Sequence, residues 1–216
     1  CTLIELEGVL RDAAERMEKR LDAFLETPDD AEALHKLRVS IRTLRSLLRF
    51  VAPWQKRRVA RGVQKDLRAI VAPTSRLREL DVLAAEARQM DPPAEELAQA
   101  CQALRDEERD RVLTALSGDE ARRVLDRVVD ATGPAAWRRS IEGKGLARER
   151  VAQRFADLRQ SVERRIDSTD LADEEAAHGL RKAAKRVRYA AEGFASFLDA
   201  DEAEATRARM KAVQAM

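Results

Sequence analysis

Two stretches of this 216-residue chain repeat one pattern, and each begins at one of its only two histidines. The first reads His35-Lys-Leu-Arg38-Val-Ser-Ile-Arg42-Thr-Leu-Arg45. The second reads His178-Gly-Leu-Arg181-Lys-Ala-Ala-Lys185-Arg-Val-Arg188, at a constant offset of 143 residues. Their basic residues recur every three or four positions, the spacing at which side chains share one face of an α-helix. At about 100° per residue, His35, Arg38, Arg42, Arg45 and Arg49 fall within a sector of roughly 80°. Leu37, Ile41, Leu44 and Leu48 cluster on the opposite side, where they can pack. The second copy sets His178, Arg181, Lys185 and Arg188 against Leu180, Ala184, Val187 and Ala191, and Lys182 and Arg186 widen its basic face. Glu192 stands where the first copy has Arg49, so the match ends there.

A charged helix face is usually just solvated, but two features argue against that here. Exposed helices normally mix signs, with Glu four residues from Lys or Arg. The 31–51 segment has no acid after Glu32, so its cations repel one another unless an anion sits among them. The same residue types also recur at the same spacing in a second place. The sequence therefore points to an anion site built twice.

Composition sets the frame for that site. Aromatics make up 4% and glycines number 8, while Ala, Leu, Arg and Glu abound, which favours helices. Net charge is only +2, so positive charge matters here by being segregated. Cys1 and Cys101 do not make a disulfide framework, and neither is assigned a role. No segment approaches the ~20 apolar residues of a membrane span, and no signal peptide is visible. The chain is expected to work in the cytoplasm, without contact with a membrane.

Breakers divide the sequence into helical blocks at about 3–25, 31–51, 55–72, 74–89, 94–116, 120–131, 146–167, 173–198 and from 199 onward. Asp29 or Asp30 is the expected N-cap of the first motif helix. Pro53, Pro73, Pro92-Pro93, Gly118, Gly133-Pro134 and Gly143-Lys-Gly145 mark the breaks. Trp137 is expected to anchor its turn in the core. Without any alternating strand pattern, the architecture reads as all-α: two helical-bundle halves related by duplication. The halves span about 1–116 and about 146–216, with a connecting segment over about 119–145. Met210-Lys-Ala-Val-Gln214 lines up with Ala60-Arg-Gly-Val-Gln64, after which the first half has further helices. The second half is thus expected to lack its final helix, which favours swapping or a homodimer.

The paired histidine-headed helices, Arg181-Lys-Ala-Ala-Lys-Arg-Val-Arg-Tyr189 and Arg76-Leu-Arg-Glu-Leu-Asp-Val82 together resemble the CHAD domain, the conserved histidine α-helical domain. The family's usual Arg-Asp reads Arg78-Glu79 here. Its closing pattern of Gln-Asp and Leu-Gly after Gln214 is absent. The resemblance implies two pseudo-symmetric helical bundles with a basic surface or pore between them. It also implies binding of inorganic polyphosphate, in some members at polyphosphate granules or beside a triphosphate-processing enzyme domain. Carried over by position, the polyphosphate-binding residues are His35, Arg38, Arg42, Arg45, His178, Arg181, Lys185 and Arg188, with Arg49, Lys182 and Arg186 as additions.

Polyphosphate is a flexible polyanion, so its receptor needs many cations along a path. Arginine's planar fork gives phosphate two hydrogen bonds and keeps its charge. Lys65 with Arg68, and Arg150 with Arg154, each a turn apart, could extend the path; a solvated face explains them equally well. Arg78 either lines the path or pairs with Asp81 or Glu79 for structural reasons, and the pairing is the favoured reading. A nucleic-acid backbone would suit the same ladder, but base stacking calls for aromatics among the cations, and the motif helices offer only Tyr189. Catalysis is not expected, because no carboxylate cluster for a divalent metal adjoins the basic helices. Guanidinium groups beside each histidine oppose a transition metal, so neither a metal nor any other cofactor is expected.

Overall fold

A computed structural model describes residues 2–142 and 146–215, and every regular element among them is helical. The α-helices are α1 (Thr2–Glu26), α2 (Ala31–Val51), α3 (Arg57–Val71), α4 (Thr74–Gln89), α5 (Glu95–Ser117), α6 (Asp119–Thr132), α7 (Arg139–Glu142), α8 (Arg148–Ser168), α9 (Glu174–Gly193) and α10 (Ala200–Ala215). Short 3₁₀ turns lie at Pro134–Ala136 and Ala195–Phe197. No helix among the described residues is long and apolar enough to cross a membrane. The expected break at 143–145 and the terminal Cys1 lie outside the described residues.

The local reasons follow the sequence. Asp30 caps α2, its carboxylate accepting from the Glu32 N–H at 2.8 Å. Asp173 caps α9 by accepting from the N–H groups of Glu175 and Ala176. Each satisfies donors that a helix start leaves open. Asp29, the other candidate cap, instead accepts from Arg109 at 2.6 Å.

Two boundaries differ from the periodic reading. The third helix begins at Arg57 rather than at Gln55. Gln55 is buried and donates through Nε2 to the Ala131 carbonyl, while the Lys56 N–H is taken by the Ala136 carbonyl. These bonds hold the two residues outside the helix. The second motif helix ends at Gly193 rather than at Leu198, and a 3₁₀ turn follows. A Cβ at Gly193 would overlap the Leu47 side chain, which is fully buried, so the chain closes against Leu47 only because this residue is glycine.

The chain forms two compact units from interleaved segments. One contains Cys1–Leu10, Ser46–Trp54 and Trp137–Met216; the other contains Arg11–Arg45 and Gln55–Ala136. In the first unit α9 packs on α8 and α10. Its aromatic core stacks Phe50 on Phe194, with ring centroids 4.7 Å apart, and sets Trp54 edge-on to Phe50. Trp137 is fully buried as expected, and its indole N–H donates to Glu7 at 2.6 Å, which satisfies a buried carboxylate. In the second unit α4 packs on α5 and α3 on α6. The apolar stripe Leu34, Leu37, Ile41 and Leu44 of α2 is wholly buried.

Candidate anion-binding site

The apolar stripe of α2 fixes how the helix is rotated, and so fixes where its cations stand. Arg42 is exposed; His35, Arg38 and Arg45 are half-buried. Arg38 reaches the junction between α3 and α4. Its Nη1 donates to the Thr74 hydroxyl at 2.7 Å, the Ser75 hydroxyl at 3.3 Å and the Val71 carbonyl at 3.4 Å. Partial burial lowers the pKa of this guanidinium, and Arg42 and Arg78 lower it further, against a smaller opposing effect of Glu79. Three arginines therefore gather on one patch of the second unit.

Of the two readings of Arg78, the pairing with Asp81 is corrected: Asp81 is taken by Arg105, which donates to it at 2.5 Å with both side chains buried. Arg78 instead lines a shallow groove with Arg38, Ser75 and Glu79.

His35 opens onto a separate hollow of 400 Å³ between α1 and α2. Arg16 and Arg20 of α1 line it together with Lys36, Ser40 and Thr43, and Glu32 is its one carboxylate. Arg16 and Arg20 were missed as candidates. Their four-residue spacing was the available signal, but acids at Asp12, Glu15 and Glu18 masked it.

In the first unit α9 buries Leu180, Ala184, Val187 and Ala191, as its periodicity requires. His178, Lys182 and Arg186 are exposed, and Arg181, Lys185 and Arg188 are half-buried. Arg188 differs from its counterpart Arg45. It donates to Glu192 at 2.8 Å, and its guanidinium lies over the Tyr189 ring at 4.7 Å. Glu192 thus closes the ladder where Arg49 continues the first one.

Arg49 and Arg186 converge on a hollow of 280 Å³ that Arg165 of α8 also lines. Desolvation lowers the Arg186 pKa, and the charges of Arg49 and Arg165 add to the effect. Arg165 carried no motif and was missed. It lies against Gly179, where a Cβ would come within 3.2 Å of its Nη2. Of the extension candidates, Lys65, Arg68 and Arg150 are exposed. Arg154 is turned inward: it donates to the Phe50 and Arg49 carbonyls and covers the Phe50 and Trp54 rings. No group of three His, Cys, Asp or Glu side chains among the described residues is placed to hold a metal ion.

Comparison with known proteins adds to this geometry. A family model described as the CHAD domain matches residues 8–216. The crystal structure of the CHAD domain from the plant Ricinus communis superposes with a TM-score of 0.76 at 23% identity, over 98% of this chain and 72% of that one. PptA from Streptomyces chartreusis superposes with a TM-score of 0.53 at 17% identity, over 88% of this chain and 74% of its own. At these identities the two structures speak for the fold. No curated protein matches the chain.

Proposed function

The chain belongs to the CHAD domain family, and from that premise we propose that it binds inorganic polyphosphate, without catalysing its turnover, through the cationic faces of α2 and α9. One observation carries the reading. Arg38 and Arg78 line one groove in the second unit, and Arg42 and Arg78 both stand close enough to Arg38 for their charges to oppose its own. Such an arrangement costs energy in the empty protein and is relieved by a polyanion.

A flexible chain of phosphates suits this surface better than a compact ligand does. Each exposed guanidinium–phosphate contact contributes about 1 kcal/mol or less. Contacts along one molecule reinforce one another, because once the first forms the others are intramolecular. Arg42 and Lys182, both exposed, can follow a mobile ligand, whereas Arg38 is braced and presents its charge in a fixed place. The same grip would hold the protein on polyphosphate granules. Glu32, Glu79 and Glu192 each stand singly beside these cations, which supports a reading of binding without turnover.

Titration with long-chain polyphosphate at rising ionic strength tests the proposal. Binding through several phosphates should weaken about tenfold or more between 50 and 200 mM salt, as counterion release diminishes. A flat response would rule out a charge ladder. Competition with RNA at equal phosphate concentration tests the ligand: polyphosphate should stay bound, and ready displacement would favour a nucleic-acid backbone.

A further inference from the structure

The hollow between α8, α9 and the C-terminal end of α2 combines two kinds of wall. Its charged side is Arg49, Arg165 and Arg186, each from a different helix. No carboxylate lines it, and none of the three guanidinium groups has an ion pair or hydrogen bond among the described residues. The hollows beside His35, Arg38 and Arg58 each include a carboxylate: Glu32, Glu79 and Asp66 respectively.

Most of the remaining surface is apolar, formed by Leu158, Val162, Ala183, Val187 and Ala190, with Ser46 and Ser161 beside them. Inorganic polyphosphate carries charge on every unit and gains nothing from such a wall. At 280 Å³ the space lies near the lower end of small-molecule sites, which begin at about 300 Å³. It also lies off the main stripe of α9. Arg186 is about 100–160° around the helix from Lys185, Arg181 and Arg188.

One wall is flat. Arg154 is tied edge-on to the Phe50 and Arg49 carbonyls, and its guanidinium carbon lies 5.5 Å from the Phe50 ring centroid and 5.9 Å from that of Trp54. A guanidinium immobilised in this way is a stacking platform for a planar ring. Converging arginines, an apolar floor and a planar platform call for a phosphate ester with an aromatic body. We propose that this hollow binds a nucleoside phosphate, with the phosphates on Arg49, Arg165 and Arg186 and the base against the floor and Arg154.

The test compares adenosine triphosphate with inorganic tripolyphosphate, which share a triphosphate and differ in the nucleoside. Calorimetric titration of the full chain should show adenosine triphosphate binding about tenfold more tightly, the scale of one stacked base. Ser161 lines the hollow and is exposed, so Ser161→Trp leaves the core intact. It should abolish the preference while long-chain polyphosphate affinity stays within about threefold, as expected for a residue outside the cationic faces of α2 and α9. Equal affinity for the two triphosphates, or a preference that survives Ser161→Trp, overturns the proposal. Failure of the polyphosphate ladder would show instead in the response to ionic strength.

Discussion

Arg38 donates to the Thr74 hydroxyl at 2.7 Å, so the first arginine of the α2 ladder also braces the junction of α3 and α4. Arg42, one turn on, is exposed. Replacing the two should therefore give different outcomes. Arg38→Ala should cost about 1–3 kcal/mol of stability, because it leaves partly buried hydroxyl and carbonyl groups unsatisfied, and should also weaken polyphosphate binding. Arg42→Ala should weaken binding with a stability change within about 0.5 kcal/mol. Thermal melts and ligand titrations on both variants check the distinction.

The Arg105–Asp81 pair is deeply buried, and the second Asp81 oxygen has no hydrogen-bond partner. Arg105→Met should destabilise the chain by about 3–5 kcal/mol by stranding the carboxylate. Adding Asp81→Leu should restore much of the loss, and chemical denaturation of the single and double variants measures the coupling.

Gly193→Ala tests the close approach at the end of α9. Alanine in a helix ordinarily gains about 0.5–1 kcal/mol over glycine. Here its methyl group meets buried Leu47, so a net loss of about 1–3 kcal/mol is expected. A rise in melting temperature would contradict the packing described.

Glu18 has a raised pKa, through desolvation and then the nearby charges of Asp22, Glu15 and Asp126. A carboxyl raised on folding binds its proton more readily in the folded chain, so its ionisation lowers stability as pH rises through the folded value. Glu18→Gln should stabilise the protein at neutral pH by roughly a few tenths of a kcal/mol, since the group is largely solvent-screened. The gain should vanish below the ordinary glutamate pKa. Melting curves across pH 4 to 8 would show it, and a gain confined to low pH would contradict this sign.

Much of this was legible in the chain itself. The 3.6-residue period of Leu37, Ile41, Leu44 and Leu48 dictates both the helix and its buried face, and the opposite cations follow from it. Asp30 and Trp137 were readable because capping and large-aromatic burial are local rules. Arg165, Arg16 and Arg20 were not, since their positions beside the motif helices arise from neighbouring helices that no local pattern encodes. The early end of α9 was hidden for the same reason: Gly193 is dictated by Leu47, distant in sequence. Arg154, read as one more exposed cation, turned inward because Phe50, Trp54 and two open carbonyls offer it better partners than water.

The central claim is that polyphosphate is held by the cationic faces of α2 and α9. Its most direct test is the affinity of the Arg42→Glu, Lys182→Glu double variant for long-chain polyphosphate at low salt. Both positions are exposed, so the fold should be unchanged by circular dichroism and melting. The account predicts a loss of about tenfold or more, from two contacts turned into repulsions. A folded double variant that binds with wild-type affinity would contradict it.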